Sequence, residues 1–150
     1  MNKRMILRIL GIILMLEAAF LLLPVLVAVI YRERAGWYYL YAALGCAALG
    51  LVLWRGCRTS LRTIYAREGL VTVALCWIVL SLAGALPFTL CGDIPYYLDA
   101  VFEMVSGFTT TGSSILPNVE LLNHCSLFWR SFSHWIGGMG ILVFMLALVN

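Results

Sequence analysis

The chain has 150 residues, of which 63% are hydrophobic and only 11% charged, and its mean hydropathy is +0.99. That composition lies far outside the range of soluble domains and identifies an integral membrane protein. The formal net charge of +3 comes from basic residues clustered beside apolar runs, where they mark topology rather than contact phosphates, so nucleic acid is excluded as a partner.

Four apolar spans are predicted in chain order, at 6–30, 37–54, 70–90 and 129–149, each long enough to cross a hydrocarbon core of ~30 Å. The first follows MNKR, but it exceeds the ~7–15 residues of a signal-peptide core and has no convincing cleavage site, so it reads as a retained anchor. Glu17 is the sole acid at mid-depth in this span. An intramembrane carboxylate is either a functional group or a protonated, hydrogen-bonded residue at a helix interface, and no basic residue lies at mid-depth in another span to pair with it. Pro24 predicts a kink.

The loop after the second span, 55–68, sets Arg55, Arg58 and Arg62 opposite Leu61, Ile64 and Tyr65. This spacing suits a short interfacial helix that touches lipid headgroups or docks a cytoplasmic regulatory partner. Lys3, Arg4, Arg8, Arg55, Arg58, Arg62 and Arg67 fall on one side of the membrane, which the excess of positive charge marks as cytoplasmic. Arg32, Arg34 and Arg130 fall on the other, together with Glu33, Asp93, Asp99, Glu103 and Glu120. The five cysteines, at 46, 57, 76, 91 and 125, form no CxxC pair and read as small packing residues; only Cys91 and Cys125 are placed for a disulfide across the outer side.

Between the third and fourth spans, residues 91–128 are too apolar for a solvated loop and too short of a full span to cross. Asp93 followed by Ile94 and Pro95 predicts a helix start, with Asp as cap and Pro in the first turn. The helix carries Leu98, Val101, Phe102 and Val105 at helical spacing and stops near Ser106 and Gly107. Such a segment reaches ~20 Å, about half of a bilayer with its headgroups. The return, FTTTGSS at 108–114, must then line a watery path or lie buried in protein, because irregular backbone facing lipid is forbidden at that depth. The C-terminal end of a half-helix favours a cation. Thr109, Thr110, Thr111, Gly112 and Ser113 are therefore candidates to offer backbone oxygens to a dehydrated ion along an extended run of ~16 Å, the alternative being an ordinary polar turn. Asp99 and Glu103 concentrate cations at the mouth, or Asp99 serves the helix dipole. Arg130 snorkels to the headgroups or stands near the mouth, His134 reads as a hydrogen-bonding interface residue, and Gly137, Gly138 and Gly140 read as close-packing positions with a hinge as the other option.

Three segments, REGLVTVALCWIVLSLAGALPF, DAVFEMVSGFTTTG and SHWIGGMGILVF, together resemble the first pore-forming repeat of the Trk/Ktr/HKT superfamily of potassium transporters, nearest to its bacterial Trk branch. The resemblance implies an all-α membrane fold. Residues 1–63 would form an N-terminal helix pair with a cytoplasmic linker, and 64–150 one helix–pore loop–helix repeat with outer helix 70–90, pore half-helix 94–106, filter 109–113 and inner helix 129–149. It implies potassium at Thr110, Thr111 and Gly112, with Gly112 as the filter glycine that accompanies potassium selectivity. It further implies a multi-pass protein of the inner (cytoplasmic) membrane with its N-terminus in the cytoplasm. The implied partners are three further repeats, a cytoplasmic nucleotide-binding regulatory subunit and a second full-length copy. No cofactor and no enzymatic activity are expected, and coupling to protons or sodium against channel-like flow is left open. Because family members carry four repeats, the fourth span reads as cut off. A homotetrameric cation channel and a non-conducting scaffold or regulatory fragment are the competing readings.

The charge asymmetry makes a topological prediction. In a background otherwise lacking cysteine, an impermeant thiol reagent applied to intact cells should label a cysteine placed at Asn118 and spare Cys57; the reverse pattern inverts the orientation.

Overall fold

The computed structural model describes residues 3–58 and 65–149. It consists of helices α1 (Lys3–Tyr31), α2 (Ala35–Gly56), α3 (Ala66–Leu90), α4 (Tyr97–Phe108) and α5 (His124–Val149), with one 3-10 turn at Val119–Leu121 and no strand among the described residues. Among those residues α1, α2 and α3 are long and apolar enough to cross a membrane, and the 26 residues of α5 reach as far. Each helix extends a few residues beyond its apolar run. α1 continues as helix through Pro24, which is buried. Of the interfacial helix expected over 55–68, residues 55–56 end α2, residues 66–68 begin α3, and residues 59–64 lie outside the described residues.

Small side chains decide which faces meet. Ala18, Ala28, Ala42, Ala43, Ala85 and Ala100 are buried, while Leu16, Leu26, Leu44, Leu49 and Leu82 face outward. In lipid an exposed leucine costs nothing, and close backbone approach is what holds helices together. The α1–α2 hairpin is tightest where Gly11 meets Gly50: a Cβ added to either would lie 2.7 Å or 2.6 Å from the other's carbonyl oxygen. On α3, Gly84 leaves its carbonyl open to the fully buried Trp129 of α5, whose indole Nε1 donates to it at 3.1 Å. α4 lies between α3 and α5.

The short helix starts later than the sequence suggests. Asp93 does not cap α4; its carboxylate accepts from Asn123 Nδ2 at 3.1 and 3.2 Å, from Ser126 Oγ and from Cys91 Sγ at 3.2 Å. Tyr39 Oη donates to Ser126 Oγ at 2.9 Å, so this clasp joins α2, the α3–α4 link and α5. With Asp93 so engaged, the first helical residue is Tyr97, and Asp99 is the acid of the first turn. Cys91 and Cys125 are both free thiols, and Cys91 serves the clasp rather than a disulfide.

A second long-range cap sits beside it. Glu33, in the turn between α1 and α2, accepts from the His124 amide at 2.8 Å and the Cys125 amide at 3.3 Å, two of the orphan donors at the start of α5. It also bonds His124 Nδ1 at 2.7 Å, and the imidazole stacks on Tyr31 with centroids 4.0 Å apart. Partial burial alone pushes the Glu33 carboxyl up, but the bonds from His124 and Cys125 outweigh it and hold the carboxyl below its ordinary range. A depressed folded-state value stabilises above the unfolded carboxylate value of about 4.3 and is lost as pH falls through the folded value. Glu33→Gln should therefore lower the thermal unfolding midpoint at pH 7, corresponding to roughly 1–2 kcal/mol. The gap to the unsubstituted protein should close below about pH 4; a gap independent of pH would contradict the charge-assisted cap.

Candidate functional site

The twelve residues of α4 end at Phe108, two beyond the expected stop, and Gly107 stays inside the helix. The reason is contact, not conformation: a Cβ on Gly107 would lie 2.1 Å from Ser133 Oγ of α5. The same approach repeats one step on, where a Cβ on Gly137 would lie 2.1 Å from the Phe108 carbonyl oxygen. A Cβ on Gly140 would lie 3.0 Å from the Trp77 ring of α3, whereas one on Gly138 would meet only Thr110 Cγ2, at 4.0 Å. Gly107 and Gly137 thus let α5 press against the end of the short helix and Gly140 lets it approach α3, as the packing reading requires, while Gly138 makes no such close contact.

The helix ends in a Schellman closure. Thr111 N donates to Ser106 O at 2.9 Å and Thr110 N to Gly107 O at 3.0 Å, with Thr110 at φ 56°. A β-branched residue in the left-handed region is strained and persists only where its surroundings hold it. Gly112 follows at φ 79°. Left-handed residues thus alternate with ordinary ones, and the run is not the uniformly extended segment expected from its threonines. The threonine hydroxyls hold this shape. Thr109 Oγ1 donates to Val105 O at 2.6 Å and lies 2.8 Å from Thr111 Oγ1, while Thr110 Oγ1 donates to Thr109 O at 2.7 Å.

The return limb is anchored as firmly. Ser106 Oγ donates to Ser113 O at 2.6 Å. Glu103, only 1% exposed, accepts from Ser114 Oγ and the Ile115 amide, both at 2.6 Å, and pairs with Arg130 Nε of α5 at 3.1 Å. Neither residue stands at a mouth. Glu103 is a buried staple between the two limbs of the loop and α5, and Arg130 is its counter-charge. The Arg130 carbonyl accepts from Ser133 Oγ at 2.6 Å and from His134 Nδ1 at 2.9 Å, the interface role expected of the histidine.

Once these bonds are assigned, the carbonyls of Thr110, Thr111 and Gly112 accept no hydrogen bond from the described residues, whereas those of Thr109 and Ser113 are used. All five residues are exposed on the chain's own surface. The arrangement presents three successive bare backbone oxygens at the negative end of a half-helix, a hard-oxygen environment suited to a monovalent cation. Sequence reasoning missed Ser106, Ser114 and Arg130 as the parts that shape the loop; the lone arginine of α5, set against the two acids of α4, was the available signal.

A family model for TrkH cation transport proteins matches residues 40–149. Over 92% of its length the chain is 43% identical to an uncharacterized cation transporter of Methanocaldococcus jannaschii, covering 29% of that protein. Over 99% of its length it is 39% identical to the Trk system potassium uptake protein TrkH of Salmonella typhimurium, covering 31% of it. The crystal structure of the potassium transporter TrkH from Vibrio parahaemolyticus superposes on 99% of the chain with a TM-score of 0.93 at 36% identity, the chain covering 32% of that structure. The chain thus spans about a third of the length of the relatives it matches.

The staple makes a stability prediction. Glu103→Ala leaves the half-buried Arg130 without its counter-charge and should cost roughly 2–3 kcal/mol, read as a drop in melting midpoint and membrane abundance. Glu103→Gln retains an oxygen for Ser114 and Ile115 and should lose less. Equal, small effects of both would mean that the ion pair does not hold the loop.

Proposed function

Because the chain belongs to the TrkH family of cation transport proteins, we propose that it supplies one helix–pore loop–helix unit, preceded by a helix pair, of a potassium-uptake transporter. The single observation that carries the assignment to residues is the row of unengaged carbonyls at Thr110, Thr111 and Gly112. In this reading potassium sheds water at the loop and exchanges it for these oxygens, while the C-terminal end of α4 lowers the cost of positive charge there. Thr109 and Ser113 act from either side by fixing the loop. The work is dehydration and recoordination, and the chain supplies no covalent chemistry to it.

One such unit presents its oxygens from one side of an ion, so the path needs further units around it. The relatives, about three times as long, have room for them, which supports a transporter chain over a four-copy channel or a scaffold. The proposal includes an N-terminus in the cytoplasm, a filter open to the outside of the inner membrane, and a cytoplasmic nucleotide-binding regulatory subunit acting on a dimer of full-length chains.

Gly112 is the decisive test. A Cβ there meets nothing within 4 Å in this chain, so the constraint is its backbone, at φ 79°. Gly112→Ser asks an L-residue to hold that conformation, at a cost on the order of 1–2 kcal/mol, and a comparable difference in ion binding is about tenfold in preference. In the full-length transporter, expressed in cells lacking other potassium uptake, rubidium uptake should fall relative to sodium uptake while membrane abundance stays near normal. Unchanged selectivity and rate at unchanged abundance would remove Gly112 from the ion path.

A further inference from the structure

Arg32 and Arg34 flank Glu33 in the turn from α1 to α2, where the acid stands ready to neutralise its neighbours. Its carboxylate turns instead to the His124 and Cys125 amides of α5. Both arginines are exposed, and neither guanidinium has a hydrogen-bond or ion-pair partner among the described residues. The turn therefore carries two positive charges without a counter-charge.

Arg34 also heads one outward face of α2. Behind it at helical spacing come Trp37, Tyr38 and Tyr41, then Leu44 and Gly45, all exposed. The indole N–H and the two phenol hydroxyls on this face are likewise unengaged among the described residues. Gly45 is not explained by packing within the chain. A Cβ on Gly11, Gly36 or Gly50 would lie 2.7, 2.6 or 2.6 Å from the facing helix of the hairpin, whereas one on Gly45 meets nothing within 4 Å. The outward rows of the neighbouring helices are plain by comparison: Leu22, Leu26 and Val29 on α1, and Leu82, Leu86 and Leu90 on α3.

From Arg34 to Gly45 the face runs ~16 Å along the helix, a length that takes a phospholipid from its phosphate through its ester groups into its acyl chains. A guanidinium matches two phosphate oxygens at once, and Trp and Tyr donors suit the ester level. We propose that this face binds an anionic phospholipid such as phosphatidylglycerol, its phosphate at Arg32 and Arg34 and one acyl chain passing Tyr41 and Gly45. A zwitterionic lipid offers the same phosphate but brings an ammonium to a turn that already has positive charge in excess. The site is separate from the carbonyl loop and does not depend on the ion path.

The test places a dansyl fluorophore on Leu44→Cys of the full-length transporter in nanodiscs, in a background otherwise lacking cysteine. Quenching is measured with phosphatidylglycerol or phosphatidylethanolamine carrying the same nitroxide-labelled chain, and a fluorophore on Leu22→Cys, on the plain row of α1, reports the bulk lipid. At Leu44 phosphatidylglycerol should be preferred at least about threefold, and at Leu22 neither lipid should be. The double variant Arg32→Gln, Arg34→Gln should equalise the two lipids at Leu44. A preference that survives in that variant would overturn the proposal. So would an equal preference at Leu44 and Leu22, the result expected of a general attraction of anionic lipid to the protein, and so would no quenching at Leu44 by either lipid, the result expected if a second copy or another part of the transporter covers the face.

Discussion

Backbone that leaves a helix inside a membrane must find its hydrogen bonds within the protein, because lipid offers none. Most of what surrounds the loop after α4 follows from that requirement. The amides of Thr109, Thr110 and Thr111 turn back onto Val105, Gly107 and Ser106, the Ile115 amide goes to Glu103, and the Ser113 carbonyl goes to Ser106. Among the described residues the carbonyls of Thr110, Thr111 and Gly112 are left without a donor, and the amides of Ser113 and Ser114 without an acceptor. The three spare carbonyls follow directly on the negative end of α4, an arrangement that suits a cation.

The same economy governs the opposite limb. Glu33 and Asp93 each reach across to the start of α5 from a different link, and together they tie both inter-helix turns to one helix end. In water, solvent would serve those amides. At the edge of a membrane bundle the Glu33 carboxylate serves the His124 and Cys125 amides instead, Asp93 holds the Asn123 and Ser126 side chains, and together they set the depth at which α5 begins, which in turn fixes where Arg130 meets Glu103.

Apolar length was legible in the sequence: all four spans, the half-helix and the residues of the loop follow from run lengths and from the rule against bare backbone in lipid. Facing was not. The row Leu98, Phe102 and Val105 that gives α4 its apolar periodicity turns outward, and Ala100, Glu103, Met104 and Gly107 turn inward. Hydrophobic periodicity points to a core only when the alternative is water; against lipid, small residues mark the interface and large ones mark the surface. For the same reason the acids misled. Glu103 looked like a free charge near an entrance and Asp93 like a local helix cap because their partners, Arg130 and Ser126, lie 27 and 33 residues away, and no local pattern encodes such a pairing. The left-handed Thr110 was hidden too, since a glycine three residues earlier offered itself as the helix stop and was needed for packing instead.

The contact of Gly137 with the Phe108 carbonyl has a mechanical meaning. With no side chain between them and less than a methyl's width to spare, α4 and the first half of α5 cannot slide or roll against each other without collision. The ion pair of Glu103 with Arg130 and the contact of Gly107 with Ser133 lock the same two elements further along. The loop, the short helix and α5 as far as Gly137 therefore form a single rigid wedge. Bending or swinging of α5 is thereby confined to the part beyond Gly137, where it leaves the loop and the short helix undisturbed.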